Sequence, residues 1–255
     1  MIDHWYTLDW HIVGPALLAG LLVLATHVPL GMEVLRKGIV FIDLAIAQIA
    51  GLGVIAADAL GWEPQGWGVQ VAAATAALLG AALMTWLERR WPDVQEALIG
   101  ALFVLASSAG ILLLAGNPHG GEHLKDLLVG QILWVTDAQL LSMATLTAAL
   151  LALWFGARQR LGQAGFYVVF ALAVTASVQL VGVYLVFSSL IMPALAVRHA
   201  SRRWQLPLAW GLGAAAYLAG LALSAVLDLP SGAVVVVAMA GLGLALARVL
   251  PSARH

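Results

Sequence analysis

The sequence contains no cysteine, which excludes disulfides and thiolate metal sites, so any metal chemistry must use His, carboxylate or amide ligands. Charge is also scarce. Twelve Lys and Arg and thirteen Asp and Glu in 255 residues leave a net charge of -1, which argues against nucleic acid or a strongly charged surface as partner. No Gly-rich loop ending in Lys-Ser/Thr is present, so the chain cannot bind ATP by a Walker-type loop. Nor is there a polar stretch long enough for a separate soluble domain or a low-complexity linker.

What is present is apolar. The chain is 62% hydrophobic and 10% charged, with a mean hydropathy of +0.96, against roughly 45–50% apolar and about 25% charged in soluble domains. Apolar runs near 12–34, 38–60, 67–87, 94–116, 137–155, 166–197, 205–226 and 232–250 reach the roughly 20 residues needed to cross a hydrocarbon core about 30 Å thick. They are continuous and rich in Ala, Leu and Gly rather than alternating, which excludes a β-barrel. The expectation is an all-α polytopic integral membrane protein filling residues 1–255 as one domain.

Basic residues orient it. Eleven of the twelve follow spans one, three, five and six or lie near the C-terminus: Arg36, Lys37, Arg89, Arg90, Arg158, Arg160, Arg198, Arg202, Arg203, Arg248 and Arg254. Loops kept in the cytoplasm retain Lys and Arg, so the N-terminus is expected outside and the C-terminus inside, with no signal peptide. This scheme puts both ends of the 166–197 run inside. That run of 32 residues is roughly 48 Å of helix, too long for one upright crossing. It is expected to go out and return, with a break near Phe187-Ser188-Ser189 where a serine caps a new helix ahead of Pro193. The expected count is therefore about eight long transmembrane helices plus a short returning half-helix, the irregular backbone that lines polar paths in transporters. A single long tilted helix is the alternative.

Four stretches carry a family resemblance: "PLGMEVLRKGIVFIDLAIAQIAGLGV" (29–54), "LKDLLVGQILWVTDAQLL" (124–141), "VGVYLVFSSLIMPALAVRHASRR" (181–203) and "DLPSGAVVVV" (228–237). In order and spacing the chain resembles the permease subunits of the zinc/manganese ABC importers. The resemblance implies a homodimeric pore in a bacterial inner membrane. It would receive a divalent cation from an extracytoplasmic metal-binding protein and be driven by a separate cytoplasmic ATP-binding subunit. The metal, zinc or manganese, would be cargo, with no permanently bound cofactor. A family relative working as an ATPase-independent carrier or regulator is the alternative; an intramembrane enzyme is disfavoured because no paired catalytic groups occur in the spans.

The chain departs from that family twice. Family members carry in the second span an Asp followed four residues later by His; the ungapped match places Asp43 on the Asp and Ala47 on the His, and a one-residue shift places Gln48 on the His instead. A carboxamide oxygen is a weak, hard ligand beside an imidazole. Residues five apart on a helix are also separated by about 140°, so Asp43 and Gln48 cannot clasp one ion on a regular helix without a partner's help. Pairing of Asp43 with a nearby base, and of Gln48 across helices, is the competing reading. The second departure is in coupling. The family's cytoplasmic stretch between the fifth and sixth spans is reduced here to "GARQRLGQAG" (156–165), leaving Arg158, Arg160 and Leu161 as expected ATPase contacts.

Two further segments bear metal-ligating side chains. His119, Glu122 and His123 in the outer loop "GNPHGGEHLKD" have the order of an inverted zinc-peptidase motif, but Pro118, Gly120 and Gly121 oppose the helix that motif needs. A loose metal-capturing loop and a solvated turn remain the two readings. His4, Asp9 and His11 lie in "HWYTLDWH", which reads as an interfacial Trp/Tyr belt or as an entrance. Glu33 is placed to face a pore or snorkel toward Arg36, Ser188 and Ser189 to bond between helices or line a hydrated lumen, and Asp228 to cap the last helix.

Overall fold

The structure, a computed structural model, describes residues 10–62, 66–114 and 128–250, apart from the side chains at 158, 159 and 161. Nine helices are found among them: α1 (Trp10–Lys37), α2 (Ile42–Ala59), α3 (Trp67–Arg90), α4 (Gln95–Leu114), α5 (Asp137–Ala157), α6 (Gly162–Val181), α7 (Val183–Ala196), α8 (Arg202–Leu227) and α9 (Ser231–Val249). All except α7 are long and apolar enough to cross a membrane. At 14 residues α7 covers about 21 Å, short of a hydrocarbon core. The protein is thus an all-α multi-pass membrane protein, with eight candidate spans and one short returning helix among the described residues.

The long apolar run does turn back, but not at the serines. The break falls at Gly182, whose φ of 79° an L side chain rarely adopts, and α7 begins at the next residue. The far-end segment around Gly130 crosses over this break so closely that a Cβ on Gly182 would overlap the backbone of Val129 and Gly130. Ser188 lies mid-helix instead, its hydroxyl donating to the Tyr184 carbonyl 2.8 Å away, so it caps nothing. The joint between α5 and α6 is tighter still. Only four residues, 158–161, separate the two helices, and the chain kinks at Gly162 with φ 58°, ψ -156°.

Packing divides the helices into two groups around a central one. α2 lies against α3 and α4; α1 lies against α7 and α8, and α9 against α7 and α8. Between them stands α6, whose apolar window is 67% buried against 22% for α4, α5 and α9, which leave large side chains such as Leu112, Phe155 and Val237 on the outer surface. In a bilayer that surface is solvated by lipid tails, so exposed leucine carries no cost there. Where helices meet, small residues bring backbones together: Gly53 of α2 against Ala72 and Ala76 of α3, and Gly31 of α1 against the Leu190 backbone of α7.

Candidate translocation site

Asp43 occupies the first turn of α2, where the helix N-terminus favours negative charge. Its side chain is fully buried, and neither carboxylate oxygen has a hydrogen-bond partner among the described residues. The neighbouring base does not come to it. Lys37 Nζ is instead 2.9 Å from Glu88 Oε1 and lies over the Phe166 ring at 5.5 Å, so the expected pairing of Asp43 with a base does not form. A buried carboxylate without donors is costly, and only a cation, a proton or another conformational state would offset it.

Gln48 points elsewhere. It is half-buried and lines a narrow cleft with Gly51 of α2, Ser107 and Gly110 of α4, Val178 of α6 and Val183 of α7; Asp43 is not among the lining residues. About 10 Å³ of water-accessible space remains in this cleft, room for about one water molecule. The structure therefore separates Asp43 from Gln48, as their angular offset on one helix requires.

The other expected positions are placed as follows. His119, Glu122 and His123 lie outside the described residues, as do His4 and Asp9. The side chains of Arg158 and Leu161 are likewise outside the description, and Arg160 is exposed at the α5–α6 joint. Glu33 pairs with Arg36 one turn along α1. Ser189 bonds between helices, 2.9 Å from the Tyr217 hydroxyl of α8. Asp228 does not cap α9: the residue at that cap is Pro230, with no side-chain bond, and Asp228 ends α8 in a left-handed conformation at φ 51°. No three His, Asp or Glu side chains converge among the described residues.

One buried group escaped sequence reasoning. His27, in the interior of α1, is fully buried. Its Nδ1 is 2.9 Å from the Val23 carbonyl and 3.0 Å from the Thr26 hydroxyl, which itself lies 3.1 Å from the same carbonyl. Nε2 is buried without a partner. Gly20, Leu24, His27 and Gly31 share one face of the helix, and Gly20 meets Tyr217, Leu24 meets Gly213 and Gly31 meets Leu190, so this face looks onto α7 and α8. The signal was an imidazole inside an apolar run, a placement that by itself marks an intramembrane functional candidate.

Comparison with known proteins adds the following. The model of the ABC 3 transport family matches residues 9–166 and 156–249, two pieces that meet at the α5–α6 joint. The chain is 27% identical over 250 residues to an uncharacterized membrane protein of Synechocystis sp., covering 90% of this chain and 87% of that one. Among solved structures it is similar to PsaBC from Streptococcus pneumoniae in complex with Fab, with a TM-score of 0.79 and 22% identity over 100% of this chain and 98% of that chain. It is also similar to a metal-chelate type ABC transporter in an inward-facing conformation, with a TM-score of 0.66 and 19% identity over 92% and 85% of the two chains. At these identities the structural likeness shows the fold.

Proposed function

The chain belongs to the ABC 3 transport family, and from that membership we propose that it is the membrane-spanning permease subunit of an importer that moves a divalent metal, zinc or manganese, into the cytoplasm. Two copies form the pore, a cytoplasmic ATP-binding subunit drives it and an extracytoplasmic metal-binding protein delivers the cargo. The end bearing Arg36, Lys37, Arg89, Arg90, Arg202 and Arg203 faces the cytoplasm of a bacterial inner membrane, which puts the N-terminus outside. His119, Glu122 and His123 of the outer loop capture metal at the entrance.

The observation that carries this reading is Asp43, a fully buried carboxylate in a membrane span with both oxygens unpartnered. A carboxylate there is a ready station for a passing divalent cation and has no structural bond to satisfy. Gln48, on the adjoining cleft, supplies a neutral oxygen or orders one water beside the path.

The test is metal accumulation under limitation of zinc or manganese. Cells carrying Asp43→Asn, which keeps the shape and removes the charge, are expected to accumulate at least about tenfold less metal than wild type, a loss on the scale of one charged contact. His119→Ala/His123→Ala is expected to raise the metal concentration needed for half-maximal uptake while sparing the maximal rate. Normal uptake in a strain lacking the whole protein ends the transport reading.

A further inference from the structure

The base closest to Asp43 along the chain is Lys37, and it is kept away. Its Nζ donates to Glu88 Oε1 of α3 at 2.9 Å and lies over the Phe166 and Tyr167 rings of α6 at 5.5 and 5.8 Å. Gln163 of α6 donates to the same Glu88 oxygen at 3.1 Å. Side-chain exposures of 20% for Lys37 and 15% for Glu88 leave the pair largely shielded, so salt and water do little to screen it. Arg36, the adjacent base, is taken by Glu33 one turn back along α1. A carboxylate on one helix and two rings on another thus hold an ammonium beside the α1–α2 turn, while the carboxylate six residues further on has no partner among the described residues.

The turn between the two groups is short and tightly folded. Four residues, 38–41, join α1 to α2; the Ile39 N–H donates back to the Val34 carbonyl at 3.3 Å and the Ile42 N–H to the Ile39 carbonyl at 3.2 Å. The start of α2 is also pinned, because Glu96 Oε1 of α4 accepts from the Phe41 N–H at 3.2 Å. Asp43 is therefore held in place by its helix. Lys37 carries its charge on a flexible four-carbon stem, so of the two groups it is the one able to swing.

We propose that Lys37 is a tethered cation that alternates between two carboxylates: held by Glu88, it leaves Asp43 open to the divalent cargo; moved onto Asp43, it displaces the cargo toward the cytoplasm. The proposal rests on the reading of Asp43 as the cation station. A metal leaving a buried carboxylate strands an uncompensated charge, and that cost opposes release until another cation takes its place. An ammonium attached a few residues away supplies that cation at high local concentration. Glu88 is then the parking site, and the strength of its hold sets how often Asp43 is contested. Both groups lie at the basic end of the bundle, which is the exit side for an importer.

Binding of Zn²⁺ and, separately, of Mn²⁺ to the full-length permease in nanodiscs is measured by equilibrium dialysis, and the component lost in Asp43→Asn is the station. Glu88→Gln keeps an acceptor for Lys37 but removes the charge that holds it, and is expected to weaken that component about tenfold, the scale of one charge-assisted hydrogen bond. Lys37→Met/Glu88→Gln is expected to return it to within about twofold of wild type, a rescue that a merely structural Glu88 does not give. Weakening that persists in the double variant, or no weakening in Glu88→Gln, overturns the exchange and leaves the station standing. No component lost in Asp43→Asn overturns station and exchange together. Lys37→Met alone tests release. In proteoliposomes holding the permease with its ATP-binding subunit, it is expected to lower the maximal rate of metal uptake about tenfold, while Lys37→Arg, which keeps the charge, retains most of that rate. Uptake by Lys37→Met at the wild-type maximal rate also overturns the exchange.

Discussion

Asp43 and His27 share an unusual accounting: each buries polar atoms that no described neighbour satisfies. An orphaned buried acceptor costs about 1–3 kcal/mol, whereas an apolar residue of similar size costs nothing there. His27→Leu removes the orphan Nε2 together with the Nδ1 contacts to the Val23 carbonyl and the Thr26 hydroxyl, each worth about 0.5–1.5 kcal/mol. The variant is therefore expected to stay within about 1 kcal/mol of wild type in thermal unfolding of the detergent-solubilised protein. Destabilisation by several kcal/mol shows instead that the imidazole is structural. Glu88 behaves in the opposite sense, since both Lys37 and Gln163 depend on it. Removal of one partner of a part-buried charge pair leaves the other unpaired, so Glu88→Ala is expected to lower stability more than Glu88→Gln.

At the scale of the element, two glycines with positive φ interrupt otherwise continuous helix, and the space around them differs. Gly162 has nothing within 4 Å of a built Cβ, so Gly162→Ala meets only the conformational cost of a backbone region that is essentially glycine's own, about 1–3 kcal/mol. Gly182 combines a φ of 79° with the overlying backbone of Val129 and Gly130, so Gly182→Ala must also displace that segment. The expected order of melting temperature and of monodisperse yield is wild type, then Gly162→Ala, then Gly182→Ala. Equal effects at the two sites contradict the close crossing of the 128–134 segment over the α6–α7 break. The same crossing accounts for α7: a returning helix of 14 residues leaves backbone groups at its start within the bundle, and they are tolerated there because protein rather than lipid surrounds them.

At the scale of the whole molecule, the family supplies an ATP-driven assembly, while only residues 158–161 join α5 to α6 where the family match divides, too few for a projecting helix. That short joint and the lack of the family's second-span His, with Ala47 in its place, are what favour a carrier without an ATPase. Proteoliposomes holding the permease alone separate the two. An ABC permease is expected to pass no metal down a concentration gradient without the ATP-binding subunit and ATP, whereas a carrier passes it with the permease alone. Native mass spectrometry of the same preparation is expected to give a dimer of the 26.7 kDa chain, as a homodimeric pore requires.

The amino-acid sequence by itself determined the solvent and the class. Runs of about twenty apolar residues have one stable solution in hydrocarbon, because every backbone N–H and C=O must bond within its own segment, and the eight runs became eight candidate spans. Length alone also required the 166–197 run to turn back, since 32 residues exceed one crossing. Where it turned was not legible. Ser188 has the chemistry of a cap, but the bend needed a positive φ and a gap admitting another backbone, conditions that only the crossing segment at Gly130 imposes. Partners of the polar residues were equally hidden. Lys37 lies six positions from Asp43 in sequence, yet it reaches across to Glu88 and the rings of α6, leaving the carboxylate alone. Sequence spacing fixes which face of one helix a side chain occupies; which helix stands opposite that face is decided only when the bundle packs.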